Sequence, residues 1–340
     1  MFDATPLFRL YAKRRLARLR TQNPCETQER ELQKLLQKAV DTRFGREYKF
    51  GAMRTVADFQ SSVPLRKFED MNRDYWSSAF PTLENCSWPG LIPFFAVTSG
   101  TTTGVDKFIP CSWEMVRANR RAILDLLSHH LANRPESRIF GGKTFMLGGT
   151  TVLESEAKGV LSGELSGIAA KTVPFWAQSR FFPPKDLAEI SEWEEKIEKV
   201  AEAAVGNNIR GFGGTPSWML IFLDKLAEVS PLAHKRSLKP LPDLELIIHG
   251  GVNFAPYRRQ FDDLCRGTRA ELREVYPASE GFLAVQDCSP GEGLRLLLDN
   301  GLFLEFVPLE ELESPMPTRH WIGNAEIGVN YAVVLNTCAG

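Results

Sequence analysis

Hydrophobic and polar positions divide the chain into a helical opening and a longer region in which strands and helices alternate. Before about residue 90, apolar residues recur three and four positions apart, which is the spacing of amphipathic helices. After Leu91, short apolar runs alternate with helical segments, and strands predominate from about residue 271. This alternation predicts an α/β fold with partly parallel sheets flanked by helices, followed by a more antiparallel part.

The same pattern predicts individual elements, and no linker or repeat separates them. Helices are predicted over 27–40, 64–80, 112–132, 187–204, 215–226 and 256–265. Strands are predicted over 91–97, 107–110, 144–147, 150–153, 209–212, 244–248, 274–276, 282–286, 294–298, 302–307 and 330–335. We therefore predict one domain over 1–340, made of a helical lead-in (1–90), an α/β part (91–270) and a strand-rich part (271–340).

The first predicted helix is strongly basic. Residues 7–20 read LFRLYAKRRLARLR, with no acidic residue. The apolar residues that can share one helical face are Leu7, Leu10, Tyr11 and Leu16. We expect the leucines to pack on the domain and the arginines to stay in solvent. The alternative is a helix that rests on an anionic membrane surface.

Composition and charge exclude several classes of protein. The 340 residues are 43% hydrophobic and 24% charged, as in ordinary globular proteins. A formal net charge of -1 argues against general attraction to nucleic acid. The six cysteines are far apart and form no C-x-x-C pair, so neither a zinc site nor a redox motif is indicated. With no secretory signal and no apolar run of membrane-spanning length, we expect a cytoplasmic protein without a transmembrane segment.

The richest candidate chemistry lies where the predicted strand at 91–97 runs into a turn of glycine and hydroxyl residues. Gly100 and Gly104 let backbone N–H groups converge on an anion, and the neighbouring threonines add hydroxyl donors. Lys107 follows with a mobile positive charge. These groups suit a polyphosphate, although the spacing is not that of a Walker A loop. The alternative is a Ser/Thr/Gly hairpin of purely structural role.

Three further turns have the composition of ligand-facing loops. Residues 211–218 join a strand to a helix start, where anions bind readily. Residues 249–252 place two glycines after a buried strand, at the end where ligands bind in α/β sheets. Residues 276–281 offer a tyrosine for stacking and a glutamate that can hold Mg²⁺ through one carboxylate. Each has a structural alternative: a capped helix, a turn that needs glycine dihedrals, and a polar hairpin turn.

Together and in this order, the motifs resemble the plant auxin-responsive family of acyl acid–amido synthetases and its bacterial relatives, which are adenylate-forming enzymes. The resemblance covers nearly the whole chain. It rests on T-S-G-T-T-T-G-V-D-K-F-I-P at 98–110, G-T-P-S-W at 214–218, G-G-V-N-F-A-P-Y at 250–257, Y-P-A-S-E-G at 276–281 and N-G-L-F-L-E-F-V-P at 300–308. The segment T-R-F-G-R at 42–46 is similar to bacterial members.

The resemblance implies roles for particular residues. The residues expected at the ATP phosphates are Ser99, Gly100, Thr101, Thr102, Gly104 and Lys107. Those expected around the adenine are Gly250, Gly251 and Val252, with Tyr276 stacked on the base and Ser279 lining the site. Glu280 would bind Mg²⁺, and Lys107, Thr102 and Glu280 would be the catalytic residues. Candidates for the acyl pocket are Phe212, Gly214, Trp218 and Phe254; the alternative, favoured for any single aromatic residue, is a place in the core.

The implied reaction is ATP- and Mg²⁺-dependent activation of a carboxylic acid as an acyl-adenylate, followed by transfer to an amine, usually an amino acid. A thioester-forming acyl-CoA ligase and a non-catalytic nucleotide- or acid-binding protein are the alternatives. In the family, an aspartate that holds the ribose and a smaller mobile C-terminal domain follow the last motif. Here the sequence ends at Gly340 before both. We therefore expect the N-terminal domain of a longer enzyme; the alternative is a naturally short homologue.

Overall fold

The computed structural model describes residues 2–99, 106–288 and 291–340. Its α-helices are α1 (Thr5–Arg20), α2 (Pro24–Ala39), α3 (Arg43–Glu47), α4 (Val56–Ser62), α5 (Phe68–Met71), α6 (Trp113–Asn133), α7 (Leu165–Thr172), α8 (Lys185–Ala188), α9 (Trp193–Ala204), α10 (Pro216–Val229) and α11 (Arg258–Cys265). Its strands are β1 (Phe94–Ser99), β2 (Asp106–Cys111), β3 (Lys143–Met146), β4 (Glu154–Ala157), β5 (Val160–Gly163), β6 (Phe181–Phe182), β7 (Ile209–Gly214), β8 (Leu246–Gly250), β9 (Glu271–Ala278), β10 (Gly281–Val285), β11 (Arg295–Leu296), β12 (Leu302–Pro308), β13 (His320–Trp321) and β14 (Tyr331–Thr337). No helix in these ranges is long and apolar enough to cross a membrane.

The central sheet has the strand order β11-β10-β9-β8-β7-β3-β6. The neighbouring strands β6, β3, β7, β8 and β9 run parallel. The strands β10 and β11 pair antiparallel at the other side of the sheet. Buried side chains of α9, α10 and α11 cover one face, and those of α6 cover the other. Helices on both faces of a mostly parallel sheet confirm the predicted α/β fold.

Two smaller sheets accompany the central one. The order β2-β1-β5-β4 forms one sheet, in which β1 and β2 make an antiparallel hairpin that pairs Ser99 with Asp106. The order β13-β12-β14 forms the other, which is antiparallel. The predicted strand at 150–153 is wrong: the strand begins at Glu154. Upstream, the Val152 N–H donates to Thr150 Oγ1 at 3.2 Å, a side-chain turn that competes with strand pairing.

The helical opening is fixed to the rest of the chain by polar contacts as well as by its leucines. In α2, Leu32 and Leu36 are buried in the core that also contains Phe303 of β12. The fully buried Gln28 donates to the carbonyl oxygens of Leu298 and Leu302 at 2.8 and 2.9 Å, and accepts from the N–H of Leu304 at 2.8 Å. Its amide therefore satisfies backbone groups that would otherwise be buried without partners.

Helix α1 packs with a different face from the one predicted. Leu16 is buried as expected, but Leu7 and Leu10 are exposed and Arg15 is buried. The Arg15 guanidinium forms forked hydrogen bonds to Asp125 of α6 and to Asp299, each at 2.7 Å. The expectation that the leucines pack and the arginines stay in solvent is wrong for these residues, because two buried carboxylates hold Arg15 inside.

The predicted helix at 187–204 is split into α8 and α9. The buried Lys196 of α9 donates to the carbonyl oxygen of Ala188 at 2.8 Å, and also to that of Gly149. In a continuous helix, the Ala188 carbonyl oxygen would accept from a backbone N–H four residues later. Here it accepts from the Lys196 side chain, as is typical of the last turn of a helix. Burial lowers the pKa of Lys196.

Candidate functional site

Three of the predicted ligand-facing turns meet at one edge of the central sheet. The parallel strands β7, β8 and β9 all end there, so we call it the carboxyl edge. The strand register places Gly214 opposite His249, and Gly250 opposite Val275, the neighbour of Tyr276. Residues far apart in the chain thus line one crevice, at the end of the strands where open α/β sheets bind ligands.

The glycines at the end of β8 are required by the local backbone. A Cβ on Gly250 would lie 2.3 Å from the carbonyl oxygen of Val275, so β9 approaches too closely for any side chain. Gly251 has a φ of +80°, in the left-handed region that favours glycine. A Cβ on Gly251 would meet nothing within 4 Å, and Val252 is exposed. The glycines therefore leave a bare, open stretch of backbone beside Tyr276.

Tyr276 and Glu280 both face solvent near this backbone. Tyr276 is 50% exposed, so its ring can accept a stacked partner. Ser279 and Glu280 form the turn between β9 and β10, where Ala278 pairs with Gly281. Glu280 is exposed. In the part of the chain that the structure describes, no group of three metal-ligating side chains occurs. A cation here would therefore depend on one carboxylate and on oxygens of a ligand.

A cavity of about 270 Å³ lies beside the same strands. It is lined by His249, Arg258, Leu272, Glu274, Gln286, Gly291, Gly293 and Leu294. Sequence analysis did not identify Glu274, Gln286 or Arg258 as site residues. Glu274 could have been identified from the alternation of side chains along a strand, because residues two apart, such as Glu274 and Tyr276, lie on the same face of β9. Strand register places Gln286 opposite Glu274: its N–H donates to the Glu274 carbonyl oxygen at 2.9 Å.

His249 gives the cavity a neutral polar wall. The residue is only 2% exposed, and its ring stacks on Phe254 at a centroid distance of 3.6 Å. Burial, together with the charge of Arg258, lowers the pKa of His249 to about 4. Its Nδ1 is buried and has no hydrogen-bond partner among the described residues. The cavity wall therefore includes a neutral imidazole whose unpartnered Nδ1 is itself buried.

The residues predicted for the acyl pocket lie mostly in packed layers. Phe212 is fully buried and stacks on Phe145 at 4.7 Å. Trp218, which is partly buried, packs on Trp193 at 4.6 Å. Phe254 is 3% exposed, whereas Gly214 lies at the carboxyl edge. These positions match the core alternative for the aromatic residues, and their contact with an acid stays a prediction.

Two of the predicted phosphate-binding residues, Ser99 and Lys107, lie on the paired strands β1 and β2 rather than on the central sheet. Gly100, Thr101, Thr102 and Gly104 lie outside the described residues, and Ser99 ends β1. Lys107 of β2 donates to Glu69 Oε1 at 2.6 Å, and its Nζ lies 5.0 Å from the centre of the Phe68 ring. The hydrogen bond from Lys107 lowers the pKa of Glu69. Binding of a phosphate by Lys107 would therefore compete with Glu69.

Comparison with known proteins gives one family match. The model of the GH3 family N-terminal domain matches residues 14–191, just over half of the chain. No curated protein matches the sequence.

Comparison with solved structures gives matches at low sequence identity. The AtGH3.15 acyl acid amido synthetase in complex with 2,4-DB is 17% identical with a TM-score of 0.79, over 100% of this chain and 67% of that one. A second structure of GH3.15 acyl acid amido synthetase has 17% identity and a TM-score of 0.74, over 96% and 65% of the two chains. An open conformation of 2-hydroxyisobutyryl-CoA ligase in complex with 2-HIB-AMP and CoA has 16% identity and a TM-score of 0.53, over 82% and 59%. The chain thus spans about two thirds of the length of the two synthetases and shares their fold.

Proposed function

The chain belongs to the GH3 family, and from this premise we propose that it activates a carboxylic acid with ATP and passes the acyl group to an amine, in the manner of an acyl acid–amido synthetase. The observation that carries the proposal is the carboxyl edge, where Gly250 and Gly251 expose backbone beside the half-exposed ring of Tyr276. A flat base fits between a glycine backbone and an aromatic ring.

The cavity beside Tyr276 supports the choice of a purine. Glu274 offers carboxylate oxygens that accept hydrogen bonds, and His249 lines the same space without charge. An exocyclic amino group on the base would meet the carboxylate. Arg258 lines the same space with a positive charge. We propose that Gly250, Gly251, Val252, Tyr276 and Ser279 bind the nucleotide at this edge.

The proposed first step needs no protein nucleophile. One oxygen of the substrate carboxylate bonds to the α-phosphorus, while the bond from that phosphorus to the bridging oxygen breaks. Pyrophosphate leaves with the electron pair. In this step the protein aligns the two reactants and neutralises phosphate charge, for which Lys107 and the backbone around Ser99, Gly100, Thr101, Thr102 and Gly104 are the proposed groups.

The donor set fits magnesium rather than a metal that needs a protein cage. Glu280 is a single exposed carboxylate, and Mg²⁺ commonly binds through one or two carboxylates together with phosphate oxygens and waters. When bound, Mg²⁺ would neutralise charge on the phosphates. Glu280 would hold it from the turn between β9 and β10, four residues after Tyr276.

The proposed second step is attack of an amine on the acyl carbon, which forms an amide and releases AMP. Phe212, Gly214, Trp218 and Phe254 are the proposed neighbours of the acid. The likeness to a CoA ligase makes a thioester the second candidate product. Products formed with coenzyme A or with a panel of amino acids, identified by mass, distinguish the two.

Acid-dependent exchange of pyrophosphate into ATP tests the first step. It is measured in the longest natural reading frame, because the chain spans about two thirds of the length of the synthetases. Lys107→Ala should lower the exchange rate about a hundredfold. Tyr276→Ala should raise the KM for ATP about tenfold through the lost stacking.

Each site variant has a matched control. Lys158→Ala changes an exposed lysine on the β4–β5 turn and is the control for Lys107→Ala. Glu310→Ala changes an exposed glutamate and is the control for Glu280→Ala. Only the site variants should lose activity. Full exchange in Lys107→Ala and Glu280→Ala would refute these site assignments. Tight ATP binding by calorimetry without exchange for any acid would favour the non-catalytic alternative.

A further inference from the structure

The amino edge of the central sheet, opposite the carboxyl edge, carries exposed apolar side chains that the proposed chemistry does not use. They come from the segment before α1, from the outer side of α1, and from the 3-10 helix Phe175–Arg180 that directly precedes β6. These residues are Phe2, Leu7, Leu10, Phe175 and Trp176, and each is between 63 and 85% exposed. We call them the amino-edge patch. Exposed apolar clusters of this kind mark interaction sites.

Hydrogen bonds join the separate segments that supply the patch. Arg180, the last residue of the 3-10 helix, donates to the carbonyl oxygens of Phe140 and Phe2 at 2.7 and 2.9 Å. The Ala4 N–H donates to the same Phe140 oxygen at 3.4 Å. The start of α1 and the helix that bears Trp176 are therefore neighbours, joined through the Phe140 carbonyl oxygen.

The outer side of α1 continues the patch with positive charge. Lys13 and Arg14 are exposed one turn beyond Leu10, and α1 contains no acidic residue. Three carboxylates near the helix already have ion-pair partners. Asp3 pairs with Arg138 at 2.8 Å, while Asp125 and Asp299 lie on the inner side with Arg15. The free charge that α1 presents outward is therefore cationic.

We propose that the amino-edge patch and the basic outer face of α1 dock the protein on an anionic lipid surface. Tryptophan, phenylalanine and leucine insert at the interface of a bilayer, and lysine and arginine attract its anionic headgroups. A second copy of the chain fits less well, because a two-fold pairing through this face would bring α1 and its cationic groups together. The lipid surface complements both the apolar and the charged parts.

Vesicle flotation of the full 340-residue chain tests this docking. Binding should be strong to phosphatidylcholine vesicles that contain phosphatidylglycerol, weak to phosphatidylcholine alone, and reduced by high salt. Lys13→Glu/Arg14→Glu should lower the partition coefficient at least about tenfold, since each basic group contributes about fivefold near an anionic surface. Phe175→Ser/Trp176→Ser should lower the partition coefficient on the same vesicles, while the salt dependence of binding should stay unchanged.

Two control pairs match the test variants. Arg46→Glu/Lys158→Glu makes the same charge change at exposed positions that have no ion-pair partner in the described ranges. Met316→Ser/Ile327→Ser removes equally exposed apolar groups elsewhere. Both should bind vesicles within about twofold of the unaltered protein, as surface substitutions away from a site generally change little. Equal binding to neutral vesicles, or equal losses in test and control pairs, would overturn the proposal. Sedimentation gives a further test. If the unaltered protein is a dimer and Phe175→Ser/Trp176→Ser is a monomer, the patch mediates self-association and the lipid-docking proposal is wrong.

Discussion

At the scale of single residues, His249 makes a testable contribution to acid stability. Its pKa of about 4 lies below that of a histidine in an unfolded chain, so below pH 6.5 the unfolded state binds more protons. The stabilisation is present above pH 6.5 and is lost as the pH falls towards 4. Between pH 7 and 4.5, the free energy of unfolding of the unaltered protein should fall by about 2–3 kcal/mol more than that of His249→Gln.

Urea denaturation at several pH values measures this difference. The control is His234→Gln, which alters an exposed histidine on the loop after α10 and should keep a constant offset from the unaltered protein. Parallel curves for His249→Gln and the unaltered protein would contradict the burial of a neutral imidazole at this site.

Lys107 provides a second prediction at this scale, because its ammonium group already has a partner. Glu69 must release Lys107 before a phosphate can take its place. Glu69→Gln removes the competing charge, so the KM for ATP should fall by about twofold to fivefold, in keeping with an exposed ion pair of at most about 1 kcal/mol. Asp70→Asn, which weakens the contact with Arg73 instead, is the control. An unchanged KM in Glu69→Gln would show that Lys107 does not exchange partners.

At the scale of elements, α1 shows why local pattern and buried face can differ. The apolar spacing in residues 7–20 predicted a leucine face, but the face that packs contains Ala12, Arg15 and Leu16. Asp125 and Asp299 lie 110 and 284 positions from Arg15 along the chain. A salt bridge of that sequence separation leaves no local signal, so only the folded chain identifies which arginine is buried.

Removal of Arg15 should therefore destabilise the whole protein. Arg15→Met leaves two carboxylates buried without their partner, which costs about 3–5 kcal/mol. Arg18→Met, whose side chain is 66% exposed, should cost less than about 1 kcal/mol. Urea denaturation measures both.

A triple variant separates lost charge pairing from lost packing. Arg15→Met/Asp125→Asn/Asp299→Asn removes the uncompensated charges and should recover more than half of the stability that Arg15→Met loses. If the triple variant is no more stable than Arg15→Met, packing by the Arg15 side chain is the larger contribution.

Other elements were predictable because their signals are local. The helix predicted over 112–132 begins at a polar cap: the Ser112 Oγ accepts from the Met115 N–H at 3.1 Å. The glycines at 250 and 251 were expected to serve either a ligand or the backbone, and the close approach of Val275 and the φ of Gly251 demonstrate the backbone requirement. By contrast, the break between α8 and α9 follows from Lys196 reaching the Ala188 carbonyl, which the apolar period does not reveal.

At the scale of the whole molecule, the strand–helix alternation predicted a partly parallel sheet but not the cavity between its turns. Parallel strand order follows from strand–helix alternation, and it gathers Gly214, Gly250 and Tyr276 at one edge. The cavity depends on how His249, Glu274 and other side chains from different strands face one another. Such facing is set by register and by the pleat of each strand, which emerge only when the sheet is assembled.

The two ends of the central sheet lead to a last prediction. The turns proposed to bind the nucleotide lie at the carboxyl edge, and the proposed lipid-docking surface lies at the amino edge and on the outer side of α1. Lys13 and Arg14 are exposed on α1, so Lys13→Glu/Arg14→Glu should keep acid-dependent pyrophosphate exchange within about twofold in the absence of vesicles, as for surface substitutions in general. Lys107→Ala and Tyr276→Ala should bind anionic vesicles as the unaltered protein does. Loss of exchange in the α1 variant, with unfolding by urea unchanged, would show instead that the two ends are coupled.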